Sequence, residues 1–238
     1  MQEEKLRLED LLESSKTTNI NDNRINNVAI IGAGIMGQGI AQTVAGMGME
    51  VIVVEISSKK LEIGKAQLTE TIDREIKRWA MTKSDKKAIF SRIKWETDPN
   101  TVKDCEIIIE AVQEDFNLKV KVFKQFDKIA NPDTIFVSNT STLSLTKISE
   151  SISRPSKVIG MHFLNPVPKI PMVELVKSLH TSNETVLKVK EFASQIGKTP
   201  VEVYEYPGFI TARAIVPLIN EAMHILLEGI ATAKDIDT

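Results

Sequence analysis

With 238 residues, of which 42% are hydrophobic and 26% charged, the chain has the composition of a soluble globular protein, enough for one large domain or one and a half. A formal net charge of −2 supplies no basic stripe for a nucleic acid, and no apolar run approaches the ~18 residues that a membrane span needs. The single Cys105 excludes an internal disulfide and a cysteine metal cluster, which suits a reducing compartment and makes cytoplasm the expected location.

Residues 1–26 begin acidic, with Glu3, Glu4, Glu9, Asp10 and Glu13, unlike a secretory signal or an Arg-rich transit peptide. Leu8, Leu11 and Leu12 are placed for a small amphipathic helix, followed by a polar linker. The apolar run Val28 to Ile31 then reads as a buried strand feeding a glycine turn, with Gly32, Gly34 and Gly37 at dinucleotide-binding spacing. Gly32 makes the turn, Gly34 leaves room for a pyrophosphate, and Gly37 lets the next helix pack close. The first-turn amides from Ile35 and Met36 onward face the anion.

Six of the eleven glycines lie between Gly32 and Gly48. A second apolar run, Val51 to Val54, ends in Glu55, eighteen residues after Gly37. A carboxylate there accepts hydrogen bonds from the ribose hydroxyls and repels a 2′-phosphate, which favours NAD over NADP.

A long helical region follows, Ser58 to Ala80 and Ser84 to Phe90, rich in lysine and arginine but interspersed with Glu62, Glu70, Asp73 and Glu75. From charge alone it is either a solvated hairpin or a flap that meets a phosphorylated substrate tail. Strands at Ile93–Trp95, Glu106–Ile109, Ile135–Ser138 and Val158–His162 then alternate with helical segments near Asn117–Ala130 and Leu143–Ser149. The alternation predicts an α/β, Rossmann-type, doubly wound and mostly parallel sheet, whose ligands sit outside the carboxyl ends of the strands.

His162 ends the last of these strands, and Glu174 follows twelve residues later. If the chain folds back, the carboxylate can fix the imidazole tautomer and leave the other nitrogen as a general base. A hydrogen-bonded structural histidine, with Glu174 on the polar face of an edge strand, is the other role open to them. Ser141 and Thr142 lie where a nicotinamide would arrive, and equally where a helix beginning near Leu143 would be capped.

The motifs Gly32-Ala-Gly-Ile-Met-Gly-Gln-Gly-Ile-Ala41, Cys105-Glu-Ile-Ile-Ile-Glu-Ala-Val-Gln-Glu114, Ser138-Asn-Thr-Ser-Thr-Leu143, Gly160-Met-His-Phe-Leu-Asn-Pro-Val-Pro168 and Pro207-Gly-Phe209 together resemble the L-3-hydroxyacyl-CoA dehydrogenases, 3-hydroxybutyryl-CoA dehydrogenases included. The resemblance runs from Asn27 to the last residue. It implies oxidation of a (S)-3-hydroxyacyl-CoA by NAD, as in fatty acid β-oxidation or butanoate-type metabolism. His162 is then the base, Glu174 its partner and Ser141 a substrate hydrogen-bonder. Glu114, Lys119, Ser141 and Asn165 join the glycine turn and Glu55 as cofactor contacts. Thr71 and Arg78 of the basic hairpin meet the CoA, and no metal, nucleic acid or membrane partner is implied.

Departures from the family stand out at Ala212, at Lys169 and Pro171, for which the sequence offers no functional account, and in length. Ala212 occupies the place of an asparagine whose amide helps hold the reacting oxygen; loss of such a donor typically costs ~3 kcal/mol of barrier. The chain also ends where the family continues into further helices. The expected organisation is an extension over 1–26, an NAD-binding domain over 27–206, and the start of a truncated all-α dimerisation domain over 207–238. Phe209, Ile210, Val216, Ile219, Met223, Leu226 and Leu227 are expected to form an apolar helix face that packs on a second copy or folds back on the sheet. Two alternatives remain: a same-fold dehydrogenase of a hydroxy acid without CoA, and an NAD-binding chain with weak or no turnover.

Overall fold

The computed structural model describes residues 24–78 and 80–238. Leu8, Leu11 and Leu12 lie outside the described residues. Among those described, eight strands form one sheet: β1 (Asn27–Ile31), β2 (Glu50–Val54), β3 (Ile93–Glu96), β4 (Ile107–Glu110), β5 (Ile135–Ser138), β6 (Val158–Phe163), β7 (Met172–Lys177) and β8 (Thr199–Tyr204). Their spatial order is β3-β2-β1-β4-β5-β6-β7-β8, and every neighbouring pair is parallel except β6 and β7.

The central strands β1, β2, β4 and β5 are nearly continuous apolar runs because helices cover both sides of the sheet there, so neither face can be polar. Val28 and Ile30 of β1 join one core with α1 (Ile35–Gly46), α2 (Ser58–Lys77), α3 (Lys83–Arg92) and, farther along, α6 (Asn183–Gln195). Ala29 and Ile31 join the other, with α4 (Phe116–Asp127) and α5 (Leu145–Ser149). Each fully buried Val or Ile contributes roughly 1.5–3 kcal/mol. Side-chain caps set the helix starts: Asp115 accepts from Leu118 N at α4, and Ser144 accepts from Lys147 N, so α5 begins at Leu145 rather than Leu143.

Beyond β6 the sheet continues for two strands, β7, which the sequence offers only as an edge strand bearing Glu174, and β8, which it does not announce. β8 is the edge, where Pro200 does no harm because no further ladder needs its missing N–H. Glu174 therefore lies on an interior strand and not on the polar face of an edge. The last helices, α7 (Thr211–Leu227) and α8 (Ala233–Ile236), carry no buried residue. Ile215, Val216, Leu218, Ile219, Met223 and Leu227 are exposed, so α7 does not fold back on the sheet. Phe209 leaves the apolar face expected for this helix: it is 6% exposed and packed into the second core. Among the described residues no helix is long and apolar enough to cross a membrane.

The turn after β1 depends on close backbone approach. A Cβ on Gly37 would lie 1.9 Å from the Gly32 carbonyl oxygen, whereas one on Gly46, at the end of α1, would meet nothing. Gly37→Ala is expected to cost ~1–3 kcal/mol and lower the melting temperature by several degrees. Gly46→Ala should leave it unchanged or raise it. Equal melting curves for the two variants would contradict this packing.

Candidate active site

β1 and β4 flank the point where the strand order reverses, and the glycine turn sits over it. Gly32 has φ +109°, and a Cβ there would lie 2.8 Å from the Ala111 carbonyl oxygen just past β4. Its N–H donates to Val54 O at 2.8 Å. Ala33 N and Ile56 N donate to the two oxygens of Glu55 at 3.2 and 3.0 Å, which fixes this carboxylate against the turn. A cavity of about 570 Å³ opens beside it, lined by Gly32, Gly34, Glu55, Ile56 and Lys60 among others. No atom lies within 4 Å of a Cβ built on Gly34, and no side chain caps α1. The leading amides, including those of Ile35 and Met36, are thus left for a phosphate. An adenosine diphosphate fits this combination of open glycine, uncapped helix and carboxylate.

The basic hairpin has a share in this cleft. Gly64 of α2 approaches Ala33 so closely that a Cβ would fall 2.5 Å from its carbonyl oxygen. Lys60, Ile63 and Gln67 consequently form one wall. Farther along, Thr71 is half-buried and accepts from Arg74 at 3.2 Å, while Arg78 is exposed at the end of the helix. The cleft wall beyond Glu55 went unread in the sequence, although Ile56, an apolar residue 89% exposed, is its visible sign.

At the other end of the site, the antiparallel pairing of β6 with β7 sets His162 directly opposite Glu174. Directly opposed residues of neighbouring strands share a face. The imidazole Nδ1 lies 2.6 Å from Glu174 Oε2. A carboxylate only accepts, so Nδ1 carries the proton and Nε2 presents its lone pair. The other oxygen of Glu174 accepts from Ile210 N at 3.0 Å and Thr211 N at 2.9 Å, the leading amides of α7. Burial works to raise the pKa of this carboxyl; the bonds from His162, from these amides and from the Thr211 hydroxyl outweigh it and hold the pKa below the usual range. The ring of Phe209 stands over His162, centroids 5.4 Å apart, on a backbone with φ 48°. A positive φ at a phenylalanine is strained, and such strain concentrates at functional sites.

Between these ends lie the termini of β4 and β5. Glu114 Oε1 accepts from Thr140 Oγ1 at 2.5 Å, Ser141 N at 2.9 Å and Thr142 N at 3.0 Å, and its other oxygen meets Lys119 Nζ at 3.2 Å. Lys119 is 1% exposed and also contacts Glu110 at 2.6 Å. Lys119 therefore offers no surface for direct cofactor contact in this arrangement; its ammonium holds two carboxylates under the Ser138–Thr142 turn. Glu110 in turn accepts from Ser138 Oγ at 2.7 Å. Ser141 and Thr142 are held by Glu114 and do not cap α5, which Ser144 does. Asn139, another residue the sequence did not single out, accepts from Phe163 N at 3.0 Å through Oδ1 and ties this turn to the strand end that bears His162. Asn165 is exposed in the loop that follows, and Ala212 is half-buried on the first turn of α7, beside Gly208.

A doubly wound sheet with a glycine turn, a carboxylate just past β2, and a His–carboxylate pair across β6 and β7 is the arrangement of a nicotinamide-dependent dehydrogenase. The family described as 3-hydroxyacyl-CoA dehydrogenase, NAD binding domain, matches residues 27–206, and the C-terminal domain of the same family matches 208–238. The chain is similar to a probable 3-hydroxybutyryl-CoA dehydrogenase of Bacillus subtilis, 39% identical over 90% of this chain and 74% of that one. It is similar also to a 3-hydroxybutyryl-CoA dehydrogenase of Clostridioides difficile, 40% identical over 88% and 75%. The crystal structure of (S)-3-hydroxybutyryl-CoA dehydrogenase from Ralstonia eutropha superposes with a TM-score of 0.83 at 42% identity, covering 89% of this chain and 75% of that one. The chain belongs to the 3-hydroxyacyl-CoA dehydrogenase family, and its cofactor is NAD.

Burial raises the pKa of Glu114, but the Thr140 hydroxyl, Lys119 and the Ser141 and Thr142 amides bring it from 4.5 down to about 2. A carboxyl depressed by folding contributes stability that is complete above its unfolded pKa and is lost as pH falls toward the folded one. Between about pH 6 and about pH 3 the wild type should lose more stability in urea melts than Glu114→Gln. Parallel losses would show that this carboxylate does not hold the turn.

Proposed function

We propose that the chain interconverts a (S)-3-hydroxyacyl-CoA and the 3-ketoacyl-CoA, the reaction type of fatty acid β-oxidation and butanoate-type metabolism. The observation that carries this reading is the pairing of His162 with Glu174 at the carboxyl end of β6, in register across an antiparallel ladder. Bound NAD supplies the hydride acceptor. Nε2 of His162 removes the hydroxyl proton as the hydride leaves C3, and Glu174 stabilises the imidazolium that results. The Glu174 carboxylate is already balanced by two amides, so it stays an acceptor and keeps Nδ1 as the donor through the cycle.

Ser141, on the turn after β5, is assigned to hold the substrate oxygen through its hydroxyl. Lys119 and Glu110 act beneath it, holding Glu114 and the turn in place. Thr71 and Arg78 on the basic hairpin are assigned to the CoA moiety, at the end of α2 away from the glycine turn. The exposed apolar face of α7 is assigned to self-association, because a contiguous face of that size rarely remains in water. Ala212 favours a second, slower version of the same reading, in which NAD binds normally and turnover is limited by a missing donor to the substrate oxygen.

Steady-state assays with acetoacetyl-CoA and NADH test both. His162→Gln is expected to lose on the order of a hundredfold to ten-thousandfold in kcat while NADH binding is retained. Ala212→Asn should raise kcat on the order of tenfold or more by restoring an amide donor. Full turnover in His162→Gln would end the assignment, and equal rates with free acetoacetate would replace CoA thioesters by hydroxy acids as the substrate class.

A further inference from the structure

Lys198 is a buried cation with no place in the chemistry above. It lies just before β8, 6% exposed, and its Nζ donates to two backbone carbonyls, Val167 O at 2.5 Å and Ile170 O at 2.6 Å. Burial lowers its pKa, and no carboxylate among the described residues is a cause pulling the other way. An ammonium removed from water without a countercharge is costly to keep. Its two acceptors both belong to the loop 164–171, which leaves β6 at Phe163 and returns as β7 at Met172.

That loop is gripped from several sides. Val167 is 2% exposed and rests on α1, where a Cβ on Gly39 would lie 3.0 Å from Val167 Cβ. Lys169 N and Ile170 N both donate to Pro166 O, at 3.0 and 3.2 Å, and Thr199 N donates to Pro171 O at 2.7 Å. Remove the lysine and two carbonyls inside the loop lose their only side-chain donor among the described residues, while the ends stay anchored by the β6–β7 ladder. The stretch that would slacken is the one carrying Asn165, two residues beyond the strand that ends with His162 and Phe163.

We infer that Lys198 is a positioning residue for the reaction: it clamps the middle of the 164–171 loop so that the polar tip at Asn165 is held beside the His162–Glu174 pair and the nicotinamide end of the cofactor. The functional part of this inference rests on the dehydrogenase reading above; the clamp itself does not. Displacement of a site group by about an ångström can reduce rates a hundredfold without touching the chemistry directly.

Lys198→Met keeps the length and apolar body of the side chain and removes its donors. In the acetoacetyl-CoA and NADH assay its kcat should fall on the order of tenfold to a hundredfold, with the NADH affinity held within about twofold because the glycine-turn cleft lies elsewhere. By hydrogen exchange, the Lys169 and Ile170 amides should lose protection while those of β1 and β4 keep theirs. Lys198→Arg, which restores the donors, should recover protection and part of the turnover. Unchanged loop exchange in Lys198→Met would overturn the clamp. A loss of turnover matched by equal losses of NADH affinity and melting temperature would overturn the positioning role and leave a merely structural lysine. If the wild type itself shows no turnover, the dehydrogenase reading fails, and the exchange comparison alone decides the clamp.

Discussion

Glu174 is a carboxylate with no exposure to water, and the carboxyl-terminal half of the sheet is arranged so that it remains an acceptor. A buried charge without compensation costs several kcal/mol, and this one is compensated by three donors, the His162 ring and two backbone amides. One oxygen takes the His162 ring and the other takes the first amides of α7. The tautomer of the histidine follows from that arrangement, and so does the entry angle of the C-terminal helix. The strained backbone at Phe209 is where the chain turns between these two obligations, and its ring closes one face of the imidazole.

The other strand ends are cross-linked toward the same pair by polar side chains, of which Glu110 and Lys119 are buried and Asn139 half-buried. Glu110, Lys119 and Glu114 form a short charged ladder under the Ser138–Thr142 turn, and Asn139 connects that turn to Phe163. Loops outside a sheet are ordinarily mobile because their backbone groups bond to water. Here the segments after β4 and β5 and the end of β6 bond to one another through side chains, so their backbone groups are satisfied by the protein rather than by water. A half-satisfied network of this kind would be worse than an apolar core, which is why its members come as a set.

Much of this was legible from residue order alone, for a definite reason. The glycine turn and Glu55 are local devices: tight turn, uncapped helix and acid all lie within twenty-four residues, from Gly32 to Glu55. The parallel sheet was legible because strands buried on both faces must be apolar throughout. The pairing of His162 with Glu174 was visible as a spacing and undecided as a geometry. Lys119, expected from the resemblance as a cofactor contact, is buried between two carboxylates, and a lysine four residues past Asp115 on an amphipathic helix carries no mark of that. Phe209 was misjudged because it adjoins an apolar helix face to which it does not belong.

By itself, then, the sequence determined the fold class, the cofactor and its end of the site, since each depends on short-range periodicity, turn chemistry and the electrostatics of one acid. Tertiary structure alone decided the other end. Strand reversal at β7 put Glu174 opposite His162, the start of α7 supplied the amides that keep the carboxylate an acceptor, and β8 delivered Lys198 beneath the intervening loop. These partners are 12 to 37 residues apart in the chain, and a contact at that separation is set by which strands pair and in which direction, a choice made by the packing of the whole sheet and not by any residue in it.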